Sequence, residues 1–306
     1  MRVLLIVNAT ASSVTARRRV VIQKALGSDH TLEVAETYRR GHAARLARAA
    51  ALDGTEVVAV LAGDGTLSEA ADGLAGSQTA LATLPGGSTN VYGRIIGTEL
   101  DPIDATSQLL DALDARSFHR IGLGAANGRR FLFHLGIGYD ADVIAWVERR
   151  SGIKRYVSHP AFVFAAVDTW LRHYDRKRRI RFADDHDDEI ARGPFGIVSK
   201  ASPYTFLGSR GLIVSREATL YSPLALAVFS SIDLPLVLQL AGSGLMTGRM
   251  MRNHRSVTHR GDVDSISVTD DTPFGWQADG DYLGEADRLE VRYQPDALTL
   301  VVPRAR

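Results

Sequence analysis

Short uninterrupted apolar runs alternate with segments of helical period through the first third of the chain. Val3–Val7 is apolar throughout, as expected of a strand buried on both faces. A polar loop, Asn8–Ser13, leads to a helix containing Arg17–Leu26. Thr31–Ala35 predicts a second strand, and Gly41–Ala51 carries alanine and apolar positions at helical spacing. Glu56–Ala62 predicts a third strand that ends at Gly63-Asp64-Gly65-Thr66, with a helix from about Leu67 to Leu74. Thr79–Leu84 predicts a fourth, which ends at Pro85-Gly86-Gly87-Ser88-Thr89-Asn90. Repeated strand-turn-helix units predict a parallel sheet covered by helices. Ligands of such sheets sit outside the carboxyl ends of the strands, where both glycine-rich turns fall.

After about Gly122 the pattern changes to many short β-like runs bounded by Gly, Pro, Asp and Ser. They include Phe131–Leu135, Phe195–Ser199, Ala225–Phe229, Ser265–Val268, Gly275–Ala278, Arg288–Tyr293 and Leu298–Val302. One long helix, roughly Ala161–Arg176, interrupts them. The expected fold class is α/β plus all-β. A Rossmann-like parallel α/β domain, residues 1–122, precedes a β-rich, sandwich-like domain, residues 123–306, whose last residues are free to return to the first.

Composition narrows the function classes. Of 306 residues, 45% are hydrophobic and 23% charged, the balance of an ordinary globular protein. With no cysteine, disulfides, thiolate nucleophiles and cysteine-ligated zinc are excluded. The net charge of +1 points to no particular partner, and near-neutrality makes nucleic acid a weaker reading. The N-terminus shows no signal-peptide pattern. The longest apolar stretch, Leu220–Gly242, is broken by Pro223, Asp233 and Pro235 and reads as a strand followed by a helix, not a membrane span. The expected location is cytoplasmic, peripheral at the inner face of a membrane.

Four segments could carry chemistry. A strand running into Gly63-Asp64-Gly65-Thr66 and then a helix offers backbone N–H groups to phosphate, with Asp64 as a Mg²⁺ contact, a proton acceptor or a helix cap. The loop Gly86–Asn90 could hold phosphate or ribose, or be a plain turn. Asp140, in Gly136-Ile137-Gly138-Tyr139-Asp140, is either a helix N-cap or a site residue. Asp279-Gly280 reads first as a hairpin turn, followed at once by Asp281. No histidine pair has metal-ligand spacing, and neither a Gly-x-Ser-x-Gly elbow nor a Walker phosphate loop is present.

Taken in order, these segments resemble the diacylglycerol kinase catalytic-domain family, whose superfamily includes bacterial lipid kinases, sphingosine kinases and NAD kinases. Gly63-Asp64-Gly65-Thr66 with Glu69, Pro85-Gly86-Gly87-Ser88-Thr89-Asn90, Gly138-Tyr139-Asp140-Ala141 and Asp279-Gly280-Asp281 carry the likeness. The resemblance implies an active site in a cleft between the two domains. It implies ATP held by Asn8, Gly63, Gly65, Thr66, Glu69, Gly87, Ser88, Thr89 and Asn90, and Mg²⁺ near Asp64. It implies Asp140 and Asp279 on the substrate side, and Asp281 and Asp64 as the catalytic acids. One of the two accepts the proton of a lipid hydroxyl, and the roles could be exchanged. The chain also departs from the pattern. Asp281 stands where the family has Glu, Val91 where an Asp follows the Asn, and Tyr221-Ser222-Pro223 where many bacterial members carry an Asp-rich structural Mg²⁺ stretch. No structural metal is expected there, since Mg²⁺ prefers carboxylate oxygens.

Residues 148–181 hold ten Lys/Arg against three acids around the apolar Phe162–Val167 with Trp170 and Leu171. Such a helix could rest on an anionic bilayer or pack on the β domain. Leu245–Arg252, rich in methionine, is a second candidate. The reading is therefore an ATP-dependent lipid kinase acting at an anionic membrane surface, on a diacylglycerol-like or sphingoid lipid. A kinase of a soluble substrate and a non-catalytic nucleotide- or lipid-binding relative are the alternatives. Oligomeric state is open, a homodimer included.

Overall fold

The structure is a computed structural model describing residues 1–149, 159–172, 178–232 and 256–303, with side chains left out at 159–164, 172 and 207. The chain forms two units, Met1–Leu123 with Pro295–Arg306, and Gly124–Gln294.

The first unit is built on a parallel sheet. Strands β1 (Arg2–Val7), β2 (Thr31–Glu36), β3 (Val57–Ala62) and β4 (Ala80–Pro85) pair in the order β4-β3-β1-β2. The residues Thr299 and Leu300, late in the chain, add parallel to β4 at Ala80 and Leu81. Helices α1 (Ala16–Asp29), α2 (His42–Leu52), α3 (Asp64–Leu74), α4 (Val91–Ile95) and α5 (Pro102–Asp114) complete the unit. Every residue of β3 is buried, which explains its unbroken apolar run. Alternate residues point to opposite faces. Val3, Leu5, Val7, Val57, Ala59 and Leu61 pack with Ile22 and Leu26 of α1 and Leu109 and Leu113 of α5. On α3, Gly73 lies so near α2 that a Cβ there would stand 2.3 Å from the Ala44 carbonyl oxygen. Those two helices meet backbone to backbone. Asp101 caps α5 by accepting from Ile103 N–H at 2.8 Å, with Pro102 opening the helix.

The second unit is antiparallel. It contains β6 (Arg129–Phe131), β7 (His134–Gly138), β8 (Ile180–Ala183), β9 (Glu189–Gly193), β10 (Phe195–Ser199), β11 (Thr205–Leu207), β12 (Arg210–Leu212), β13 (Leu224–Phe229), β14 (Val257–Val263), β15 (Ser265–Ala278) and most of β16 (Asp281–Val301). β5 (Phe118–Ala126) enters the unit and pairs with β6 at Gly124–Ala126. The main order is β14-β13-β10-β7-β15-β16, with β8 and β9 continuing from β15. Both faces of this sheet are buried. Leu226 and Val228 of β13 join Leu135, Ile137, Phe182 and Phe274 on one side. Ala227 and Phe229 join Phe195, Ile197, Tyr139, Trp146 and Ala165 on the other. Helices α6 (Tyr139–Arg149) and α7 (His159–Arg172) cover that second face. Trp146 Nε1 donates to Asp168 Oδ2 at 2.8 Å, and Trp170 Nε1 to the Ile232 carbonyl at 3.2 Å. The described side chains of α7 therefore face the core at Ala165, Asp168 and Thr169, while Leu171 is exposed. Arg150, Lys154, Arg155, Arg176, Lys177 and Leu245–Arg252 lie outside the described residues. The acidic run 184–189 forms the tip between β8 and β9, with Arg181 paired to Asp187 at 2.6 Å.

Candidate functional site

In the first unit, three loops interlock at the carboxyl ends of β1, β3 and β4. Asn8 ends β1; its backbone N–H donates to Leu61 O at 3.2 Å and its Nδ2 to Thr66 Oγ1 at 3.3 Å. Its Oδ1 accepts from the Thr10 N–H and hydroxyl, closing the 8–10 turn. Ser13 N–H donates to Gly86 O at 2.9 Å and its hydroxyl to Gly87 O at 3.4 Å. Gly86 N–H donates to Ala62 O at 2.9 Å. A Cβ on Gly86 would lie 2.8 Å from Ala62 N and Cα, and one on Gly87 2.9 Å from Gly63 Cα. These glycines are needed because two backbones touch. Gly65 differs: a Cβ there meets nothing within 4 Å.

The polar side chains divide into those that hold the loops and those that border open space. Asn90 takes a left-handed backbone at φ 49°, and its side chain bonds both the N–H and the carbonyl of Gly87, at 2.9 and 2.8 Å. It locks the 87–90 turn onto itself. Ser88 is exposed and Thr89 half-buried. The Asp64 carboxylate accepts from Val91 N–H at 2.9 Å and Tyr92 N–H at 3.0 Å. It thus caps α4, whose own N-cap, Asn90, contributes no side-chain bond. Burial pushes its carboxyl above the usual range, against those backbone bonds and the Arg94 charge. Glu69 does the same for α2, accepting from Gly41 N–H at 2.8 Å and Ala43 N–H at 3.2 Å. Asp64 and Glu69 of α3 therefore fasten neighbouring helices, while the N-cap of α3 itself is Gly63, which has no side chain to give. The first turn of α3 thus has no side-chain cap bond from its N-cap residue.

In the second unit, Asp279 and Gly280 have φ of 50° and 84° and form the two-residue turn between β15 and β16, with Ala278 opposite Asp281. Asp279 is buried, and its carboxylate accepts from Leu132, Phe133 and His134 N–H at 2.7, 3.0 and 3.0 Å. The half-buried Asp281 follows at once. Asp140 Oδ1 accepts from the Tyr204 hydroxyl at 2.7 Å and Oδ2 from Gln277 Nε2 at 2.8 Å. Burial pushes its carboxyl up, against those two bonds. Gly136 makes room for this carboxylate, since a Cβ there would fall 1.6 Å from Asp140 Oδ2. Gln277 is fully buried and its Oε1 accepts from Gly280 N–H at 2.8 Å. Tyr204 stacks at a tilt on His134, ring centroids 4.3 Å apart. Burial drives His134 down to about 3.

Sequence reasoning gave no role to Tyr204, Lys200 or Gln277. Gln277 had a signal, two positions before Asp279 in the same motif. Tyr204 had none, being 64 residues from Asp140. Lys200 is buried and its Nζ donates to Thr219 O at 3.0 Å and Leu220 O at 2.9 Å, with burial lowering it to about 8. Its ammonium occupies two carbonyls of the turn before Tyr221-Ser222-Pro223, so the donor set there suits no structural Mg²⁺. Among the described residues no group of three His, Cys, Asp or Glu could enclose a metal. Asp64, whose carboxylate already accepts backbone N–H bonds, would serve an ion that takes its other ligands from phosphates and water.

A family model for the diacylglycerol kinase catalytic domain matches residues 2–118. That match covers the first unit, which is similar to the family's catalytic domain. A Pseudomonas aeruginosa (strain UCBPP-PA14) protein named "Probable lipid kinase YegS-like" is 34% identical over 147 residues, 47% of this chain and 46% of that protein. A Pseudomonas putida protein of the same name is 31% identical over 142 residues, 46% of each. The chain thus spans about half the length of the curated relatives it matches. A crystal structure of a diacylglycerol kinase from Bacillus anthracis strain Sterne superimposes with a TM-score of 0.71 at 18% identity, covering 98% of this chain and 96% of that one. A second crystal structure from the same organism gives 0.75 at 19%, covering 100% and 98%. At that identity the likeness concerns the fold, and it extends over both units.

Proposed function

We propose that this protein transfers the γ-phosphoryl group of ATP to the hydroxyl of a diacylglycerol-like or sphingoid lipid. The observation that supports it best is the interlocked trio of loops in the first unit. Gly63 leaves the α3 N-terminus without a side-chain cap, a Cβ on Gly65 would meet only open space, and Asn8 bonds Thr66 of the same turn. That arrangement receives phosphates. Phosphoryl transfer then needs mainly positioning and charge stabilisation. Mg²⁺, when bound, would neutralise phosphate charge, with Asp64 as its protein ligand. Asp281 accepts the hydroxyl proton, one methylene shorter than the Glu of the resembled pattern. Glu69, Asn90 and Asp279 act through the backbone they hold. Asp140 acts on the substrate side. The basic residues around 148–181 bring the protein to an anionic membrane, where the lipid hydroxyl is presented. No helix among the described residues is long and apolar enough to cross one.

A non-catalytic relative is the second reading, favoured by Val91: its side chain is buried and apolar where the pattern has an acid. Turnover of Asp281→Asn and Asp64→Asn, with ATP affinity measured separately, decides between them. The lipid-kinase reading expects Asp281→Asn to bind ATP normally and lose turnover. ATP binding with no transfer by the wild-type protein would favour the second.

A further inference from the structure

One polar chain in the second unit ends on the turn that carries Asp281. It begins at the Tyr204 hydroxyl, which donates to Asp140 Oδ1. Asp140 Oδ2 accepts from Gln277 Nε2, and Gln277 Oε1 accepts from the N–H of Gly280. Each link is 2.7–2.8 Å. Gln277 is fully buried, so its amide is held at both ends and cannot turn without breaking a bond in a dry site. Its orientation is fixed by chemistry: Asp140, when ionised, only accepts, so Nε2 must face it and Oε1 must face Gly280. Tyr204, stacked on His134, in turn orients Asp140. From the other side, Asp279 grips the same turn through three N–H groups of 132–134. The two grips are not equivalent. Asp279 fixes the turn to the sheet, whereas Gln277 fixes the Asp279–Gly280 peptide, one peptide ahead of the bond that leads into Asp281.

We propose that Tyr204 and Gln277 are positioning residues which, through Asp140 and the Gly280 N–H, set the Asp281 carboxylate for proton abstraction. This rests on the proposed role of Asp281. A shorter side chain than Glu has less freedom to find the hydroxyl, so its backbone must be placed more tightly. Misplacement by about 1 Å can cost on the order of 10²-fold in rate.

The test uses the full chain in mixed micelles of diacylglycerol, monoacylglycerol or sphingoid base with ATP and Mg²⁺. Gln277→Met keeps the volume and removes both bonds; Tyr204→Phe keeps the stacking and removes one donor. The proposal expects Gln277→Met to lower kcat by about tenfold or more and Tyr204→Phe by less, each with KM for ATP unchanged. In an Asp281→Asn background the same changes should add almost nothing, because residues acting as a unit are not additive. Peptides covering Gly280 should exchange amide hydrogen faster in Gln277→Met. Wild-type kcat in Gln277→Met, an equal fold-loss in both backgrounds, or unchanged Gly280 exchange would overturn the proposal. Wild-type turnover in Asp281→Asn would instead sink the role of Asp281, and the relay with it.

Discussion

The carboxylate of Asp279 is the most consequential single group in the turn, and replacing it with Asn isolates what it does. Three buried N–H groups, of Leu132, Phe133 and His134, converge on its two oxygens. An Asn offers one oxygen. Turned toward Phe133 and His134, it keeps two bonds but sets its NH₂ against the Leu132 N–H. Leaving one buried donor unmet costs about 1–3 kcal/mol, and the two retained bonds weaken from charged to neutral, about 1 kcal/mol each. Relief from burying a charge offsets part of this, so the net loss is about 2–4 kcal/mol. All three tryptophans, Trp146, Trp170 and Trp276, lie in the second unit, so their fluorescence in urea follows that unit alone. With a slope of about 1–3 kcal/mol/M, the midpoint should fall by roughly 1 M or more at unchanged slope. Asp281→Asn, two residues away on the half-buried strand start, should move it by less than about 0.5 M. Equal midpoints for Asp279→Asn and wild type would refute the structural role of Asp279.

Further outcomes separate binding from scaffolding. Gly65→Val should leave thermal stability unchanged, since its side chain enters open space, yet weaken ATP binding by tenfold or more in calorimetry, about 1.4 kcal/mol. Gly86→Ala should instead lower stability, since its Cβ meets the Ala62 backbone. His134 is held neutral by burial, down to about 3, whereas an unfolded histidine titrates near 6.5. The unfolded state therefore binds the extra proton, and the second unit should lose about 1.4 kcal/mol per pH unit as pH falls from about 6 toward 3. In His134→Gln that slope should flatten, read from urea midpoints against pH. Because the Lys200 ammonium occupies the Thr219 and Leu220 carbonyls, neither EDTA nor added Mg²⁺ should shift the melting temperature of the nucleotide-free protein.

How much was legible in the chain depended on whether a signal was local. β3 announced itself because both faces are buried, and its glycine-rich exit because two backbones meet there. The fold class was readable for the same reasons: unbroken apolar runs for the parallel sheet, short bounded runs for the antiparallel one. The hairpin at Asp279-Gly280 was readable from its dipeptide. β15 and β16 read as fragments, because register shifts at Thr269/Phe274 and Trp276/Gln277 break the period-two pattern. The helix α5 went unread although Asp101-Pro102 marks its start. What the chain could not display is where its acids point. Asp64 reaches Val91 and Tyr92, Glu69 reaches Gly41 and Ala43, and Asp279 reaches 132–134, all across distances in sequence that only the folded backbone closes. An Asp in a Gly-Asp-Gly turn reads equally as a ligand and as a cap, and only the positions of the N–H groups distinguish them.

The most direct measurement is transfer of label from γ-labelled ATP, with Mg²⁺, into diacylglycerol, monoacylglycerol or sphingoid base in mixed micelles. The protein and its Asp281→Asn variant would be compared side by side. Label in at least one lipid with the wild-type chain, and its loss in the variant despite unchanged ATP affinity, is the predicted result. ATP binding with no label in any lipid would contradict the account.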